Sequence, residues 1–270
     1  MGEIDLVRER LRDLAAEVVD PAATQPFGTY VVAGTHPTAE LGRHLERVVF
    51  DEFFGNSADL LLHEYGPYDG VSVFLCVIDH EERIPAGTIR IILPSGLGFK
   101  SLDDIDHAWG QSVPDVLART GVRLDWPQVW DVTTLAVDAT YRGERTGGLV
   151  SLALYQALVM ASLTCGARWW VTILDTIVLD LIQTRTHAPF SYYDGVPVRP
   201  YLDSPASAPV WADVEAWERR IRAADPAMHD VLCNGRGVDE VLWTPDWHSA
   251  AEVFDAVAPG GLSESIHRRS

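Results

Sequence analysis

The sequence predicts an α/β (α+β) domain in which a mixed central sheet is flanked by helices. Three observations point there. Hydrophobic residues make up 47% of the 270 and include nine tryptophans, which supplies a sizeable core and excludes disordered and fibrous classes. Helical periodicity dominates the first fifty residues, whereas β-rich runs bounded by turn residues begin near residue 71. From residue 129 onward strand and helix patterns alternate, the order that builds parallel strand pairs.

Ile4, Leu6, Val7, Leu11, Leu14 and Ala15 recur at helical spacing, so residues 3–18 read as an amphipathic helix, broken at Pro21. A second helix is expected over 38–54, with Thr38 as N-cap and Leu41, Leu45, Val48 and Val49 as its apolar stripe. Residues 71–78 and 86–93 form a hairpin around the charged turn 79–83, with Gly87 marking a bulge or a close approach. Short helices such as 113–119 occupy the stretch 95–127. A strand over 129–137, a helix over 149–163, a strand over 168–174 and a helix over 176–186 follow. A closing hairpin is expected from 190–193 and 196–202 around Asp194-Gly195, then an amphipathic helix over 211–224. The Gly/Ser/Arg-rich tail 258–270 reads as frayed, and Asn234-Gly235-Arg236-Gly237 as a turn.

Twenty-one basic residues against 39 acidic ones leave a formal charge of −18. That field opposes nucleic acid and anionic lipid surfaces, so no nucleic-acid partner is expected. Three dispersed cysteines, Cys76, Cys165 and Cys233, form no C-x-x-C pair, which fits a reducing compartment. The N-terminal stretch lacks an apolar signal-peptide core, and no apolar run reaches the ~18 residues of a membrane span. A cytoplasmic protein without a membrane span is expected. The nine histidines show no metal-ligand spacing, and neither a nucleophile elbow nor a phosphate-binding P-loop motif occurs, so no metal site is expected.

The most informative segment is the strand 130–138 running into Tyr141-Arg142-Gly143-Glu144-Arg145-Thr146-Gly147-Gly148 and a long apolar helix. Two crossovers flank residues 138–148, the kind of junction where ligands sit. The first turn of a helix offers unpaired N–H groups and a partial positive charge, which suits phosphate oxygens. Gly147 and Gly148 let the backbone approach an anion, and Arg142 and Arg145 can pair with it. An ordinary strand–turn–helix corner with two solvated arginines accounts for the same residues equally well.

The segment LAVDATYRGERTGGLVSLAL resembles the acyl-CoA-binding stretch of the GNAT acyltransferases, a strand ending in L-x-V followed by R/Q-x-x-G-x-G/A. Arg142 and Gly147 match its first and last positions, and Arg145 replaces its middle glycine. RVVFDEFF (47–54), HEYGPYD (63–69), IPAGTIRIILPS (84–95) and WDVTTLAV (130–137) follow one another in the order of the acyl-homoserine-lactone synthases and the related N-acyl amino acid synthases. Glu64, Tyr68 and Asp69 match the acidic box of that branch, Gly66 replaces its middle aspartate, and Thr133-Thr134 replaces Ser-Arg.

The resemblance implies a GNAT-like fold whose sheet splays at the acyl-donor site. It divides the chain into an N-terminal helix and linker (1–37), an acyltransferase core (38–203) and a C-terminal helical extension (204–270). It further implies an N-acyltransferase moving an acyl group from an acyl-CoA or acyl-carrier-protein thioester to the amine of a small molecule by direct attack. A plain N-acetyltransferase and a catalytically silent binding protein of the same fold are the alternatives. Leu135, Ala136, Val137, Arg142, Gly143, Arg145, Thr146, Gly147 and Gly148 would hold the donor, with backbone amides near 135–137 serving the oxyanion. Asp131 matches the family's glutamate as base, with Glu64 second. Arg185 stands where the usual acid is a tyrosine, leaving Tyr193 or Tyr192 for that role. Arg90, Asp69 and Trp130 are expected at the substrate. Each has a plainer reading: Asp131 caps a neighbouring backbone, Glu64 and Asp69 are turn carboxylates, Arg90 is an outward strand residue, and Trp130, Trp169 and Trp170 fill core. A carrier-protein donor would need a basic patch, for which Arg142, Arg145 and Arg168 are the candidates.

Overall fold

A computed structural model describes residues 3–143, 146, 148–188 and 190–258. Helix α1 (Glu3–Val18) leads into β1 (Phe27–Ala33), then α2 (Glu40–Phe54) and α3 (Ala58–Tyr65). The hairpin β2 (Ser72–Asp79) and β3 (Ile84–Ile92) follows, then α4 (Lys100–His107) and α5 (Val113–Thr120). Next come β4 (Val129–Val137), α6 (Leu149–Cys165), β5 (Trp169–Asp175) and α7 (Thr176–Thr186). Two short strands, β6 (Ser191–Tyr192) and β7 (Arg199–Tyr201), precede β8 (Ser204–Asp213). Helices α8 (Val214–Ala224) and α9 (Pro226–Asn234), strand β9 (Leu242–Trp243) and helix α10 (Trp247–Val257) complete the described residues, and the tail 259–270 lies outside them. Among the described residues no helix is long and apolar enough to cross a membrane.

The strands form one sheet in the order β6-β8-β5-β4-β3-β2-β1-β9, with β7 also on β8. Pairing is antiparallel except for β4–β5 and β1–β9. β2 shows how the layers form: Val73, Leu75 and Val77 pack with α6, α9 and α10, while Phe74, Cys76 and Ile78 pack with α1, β1 and α2. A strand buried on both faces reads as a continuous apolar run. Helix α6 is apolar around most of its circumference, as a helix enclosed by a sheet and further helices must be. It sits so close to β3 that a Cβ built on Gly87 would lie 2.7 Å from Val150 Cγ1 and 2.9 Å from Leu154 Cδ1. Gly87 is thus a close-approach site, and the β2–β3 register shifts beside it, at Val77/Ile78. The three cysteines are buried and unpaired, and burial pushes each thiol up to about 12.

Four local expectations change. Residues 27–33, read as part of a linker, are a strand of the central sheet. The expected hairpin around Asp194-Gly195 does not form: β6 and β7 each pair with β8 instead. β8 itself hides behind Pro205 and Pro209, residues that argue against an interior strand. Pro209 fits because β6 covers only Val210 and Trp211 and β7 only Ser204–Ser207, which leaves the outer edge at Pro209 unpaired. Helix α8 accordingly starts at Val214, capped by Asp213, and not at Trp211. Finally, α2 starts at Glu40, because a 3-10 turn over Pro37–Ala39, capped by His36 and not by Thr38, precedes it.

Candidate active site

β4 and β5 pair over only three positions, Val129↔Trp169, Trp130↔Trp170 and Asp131↔Val171. Beyond them both strands continue unpaired with each other. The cause lies on the other edge of β4: Arg90 pairs with Thr134 but Ile91 with Val132, which leaves Thr133 as an extra residue. Such a bulge bends the strand and raises its local twist. The β5-facing amides and carbonyls of β4 past Asp131 are therefore not taken up by β5, and backbone groups in that state call for another partner. Between the diverging strands lies a narrow cavity of about 50 Å³, walled by Val132, Leu135, Tyr155, Leu158, Trp170, Phe190 and their neighbours. Its lining is almost wholly apolar, apart from Thr133, Thr134, Thr172 and Thr186.

At the open end of β4, Asp138 caps a 3-10 turn by accepting from the Thr140 amide at 2.8 Å. Gly143 (φ 68°) and Gly148 (φ 79°) adopt left-handed backbone, which glycine tolerates without strain. Gly148 is the N-cap of α6 and brings no side chain, and the Leu149 amide donates to the Thr146 carbonyl at 3.0 Å. Thr146 Oγ1 donates to the Tyr141 carbonyl at 2.8 Å and closes the turn. Arg142 does not face outward. Its Nε donates to the Val137 carbonyl at 2.6 Å, its guanidinium lies 3.0 Å from Glu52, and it stacks 4.5 Å over the Phe53 ring. Leu135 lines the cavity, whereas Ala136 is buried on the opposite side with Leu45 and Val49. Arg145 and Gly147 lie outside the described residues.

The opposite face of the sheet carries a buried charge cluster. Arg90, 3% exposed, donates from Nε and Nη2 to Glu46 at 2.9 and 2.7 Å. Its Nη1 reaches the Tyr65 carbonyl at 3.2 Å and Asp69 at 3.0 Å. Burial works against the charge of Arg90, but Glu46 beside it holds the guanidinium pKa above its ordinary value. Asp69 also receives Arg43 at 2.9 Å. These side chains line a second small cavity with Leu61 and Leu62. Thr134 joins the two faces: it lines the first cavity, and its hydroxyl donates to Glu46 at 2.5 Å.

The expected catalytic residues do not converge on either cavity. Asp131 is fully buried, and both its oxygens are occupied by Ser101, which donates from its amide at 2.8 Å and its hydroxyl at 2.5 Å. A carboxylate so placed anchors the first turn of α4. Glu64 pairs with Lys100 at 2.7 Å, and Lys100 is held further by Asp104 at 2.6 Å and by Tyr201. Tyr193 packs in a cluster with Phe99, Val129 and Trp169, its hydroxyl is buried, and burial raises its pKa, which weakens it as an acid. Trp130, expected at the substrate, is fully buried and stacks at 4.9 Å on Phe254 of α10, so it fills core. Arg90 and Asp69 do share a cavity.

Burial pushes the Asp131 pKa up to about 7, against Ser101 and Lys100, which lower it. Between the ordinary carboxylate value and pH 7 the folded protein therefore keeps a proton that the unfolded chain releases. Stability from this group is fully present below that ordinary value and is lost as pH rises to 7, by a few kcal/mol at about 1.4 kcal/mol per pH unit. Asp131→Asn keeps an acceptor for the Ser101 amide and removes the titration. The expected result is a Tm difference, variant minus wild type, that grows from pH 4 to pH 7. A difference independent of pH would show that Asp131 does not titrate in that window.

Glu46 and Thr134 escaped the sequence reading as site residues, as did the anchor Ser101. Glu46 carries no local signal, since α2 is dense in charged residues, whereas Arg90 interrupts an apolar strand. A charge inside such a strand is seldom buried without a partner.

No family model matches the chain. No curated protein matches it either. Solved structures do. A CoA-dependent acyl-homoserine lactone synthase, BjaI, with SAM and isopentyl-CoA, superposes with a TM-score of 0.50 at 14% identity, over 85% of this chain and 98% of that one. FeeM, an N-acyl amino acid synthase from uncultured soil microbes, gives 0.53 at 13% identity over 75% and 98%. The acyl-homoserine lactone synthase LasI gives 0.52 at 14% over 78% and 96%. With the sheet opened between β4 and β5 and helices on both faces, this chain has the GNAT-like acyltransferase fold that those synthases share.

Proposed function

We propose that this protein is an N-acyltransferase that takes an acyl group from a thioester to the amine of a small molecule. The observation that carries this reading is the opened β4–β5 seam, with an apolar slot on one face and the Glu46–Arg90–Asp69 cluster on the other. The thioester arm would enter beside β4, whose unclaimed amides can bond a pantetheine chain and receive the oxyanion. The slot is apolar and suits the hydrocarbon end of an acyl group. The turn 138–148 and the start of α6 would meet the phosphates of acyl-CoA.

The amine acceptor would approach from the second cavity, whose two carboxylates are balanced by Arg43, Arg47 and Arg90. Glu46 is fully enclosed, and Asp69, with 28% of its side chain exposed, accepts from Arg90 and Arg43 through its two oxygens, so the amine's proton would pass to water. The amine nitrogen then bonds the thioester carbon, the C–S bond breaks, and the thiolate leaves as a thiol once protonated by solvent. Acyl-CoA fits this arrangement better than an acyl-carrier protein. Arg142 is folded onto Glu52 and Arg168 is paired with Asp213, at opposite ends of β4 and about 26 Å apart along the strand, so the two do not form one basic docking patch.

A second reading, a binding protein without turnover, draws on the occupied state of Asp131 and the inaccessibility of Tyr193. The test is thiol release from acyl-CoAs of several lengths in the presence of a mixed pool of amines. Release that depends on both donor and amine is expected. Saturable binding of acyl-CoA without release would favour the second reading, and absence of both would remove the first.

A further inference from the structure

Which part of the chain closes the slot can be read from the exposure of its walls. Leu135 of β4 and Leu174 of β5, on the diverging arms, are half-buried. Trp170, paired with Trp130 one position before the strands part, is 3% exposed. Part of the wall is supplied by residues that do not belong to the sheet. Trp217 of α8 is 1% exposed, with its ring 6.3 Å from that of Trp170, and Leu232 of α9 is fully buried.

Both closing residues are fixed from outside the slot. The Trp217 indole N–H donates to the Thr186 carbonyl at the end of α7, at 3.3 Å. Leu232 follows Val231, whose carbonyl accepts from Gln156 of α6 at 2.7 Å. Glu218 and His229, 2.8 Å apart, tie α8 to α9.

We propose that Trp217 and Leu232 form the blind end of the slot and set the longest acyl chain it accepts. The inference rests on the acyl-transfer reading, and it assigns the C-terminal helices α8 and α9 a selective role. An acyl chain running inward from the mouth meets Trp170 first and then the indole of Trp217. Truncating Trp217 or Leu232 deepens the slot without touching the turn or the seam that would hold the donor's polar part. Each further methylene accommodated in the vacated space is expected to raise affinity about fourfold.

The test uses the full chain and a series of S-alkyl-CoA thioethers, which cannot transfer, from ethyl to hexadecyl. Calorimetry on wild type, Trp217→Ala, Trp217→Phe and Leu232→Ala gives the chain length at which affinity stops rising. The expected result is a limit that moves to longer chains in Trp217→Ala and Leu232→Ala and moves less in Trp217→Phe. Melting curves identify any variant that fails to fold, in which case the milder Trp217→Phe, together with Leu232→Val, decides. An unchanged limit in folded variants overturns the inference while leaving the acyl-transfer reading in place. A wild type that binds no thioether overturns both.

Discussion

Replacing Arg90 by alanine is expected to lower stability by about 3–5 kcal/mol, a large share of the 5–15 kcal/mol typical of folded proteins. The guanidinium is 3% exposed and bonds Glu46 through two nitrogens, Asp69 and the Tyr65 carbonyl. It also lies 4.6 Å over the Phe74 ring and 5.3 Å over Tyr65. Alanine would leave the Glu46 carboxylate buried without its cationic partner, with the neutral Thr134 hydroxyl still donating to it. Arg90→Lys is expected to recover only part of the loss, since an ammonium cannot reproduce the planar two-nitrogen contact. Removing both partners, Arg90→Met with Glu46→Leu, should be far less damaging than Arg90→Ala, because no uncompensated charge stays behind. Urea unfolding of the three variants measures this. A loss below about 1 kcal/mol for Arg90→Ala would mean that the cluster is hydrated and not a sealed pair.

Much of the fold follows from local chemistry. β4 and α7 have the bounds their sequences indicate, because each is punctuated by its own residues. Asp175 caps α7 by accepting from the Ile177 amide at 2.8 Å, and His187 ends the helix in the left-handed region. The hairpin β2–β3 is equally plain, two apolar runs around a charged turn. β8 is hidden for the opposite reason: small residues and two prolines carry no strand signal, and only the gap between β6 and β7 makes Pro209 acceptable.

The site divides along the same line. Gly148 and the helix start of α6 are visible as a local pattern. The bulge at Thr133 that opens the seam has no glycine or proline to mark it, and it shows only in the register against β3. Asp131 shows what a motif position leaves out. It stands where a base is expected, yet Ser101, thirty residues earlier in the chain, occupies both its oxygens. Glu46 and Arg90 are 44 residues apart, and nothing local to either announces the other. Long-range polar pairs of this kind are set by tertiary packing, which a single sequence does not display.

Bulk introduced at the mouth of the slot is expected to have the largest effect on donor binding. Leu135 lines the cavity and is half-buried, so Leu135→Trp has room to fold with its larger ring at the entrance. The charge cluster around Arg90 and the anchor at Asp131 would be left untouched. Calorimetry of a non-reactive decyl-CoA thioether against wild type and Leu135→Trp, with Tm recorded for both, tests most directly that the donor enters between β4 and β5. Saturable binding to wild type and a loss of at least about tenfold, ~1.4 kcal/mol, in a folded Leu135→Trp is the expected result. Equal affinity for the two proteins, or no binding to wild type, would contradict it.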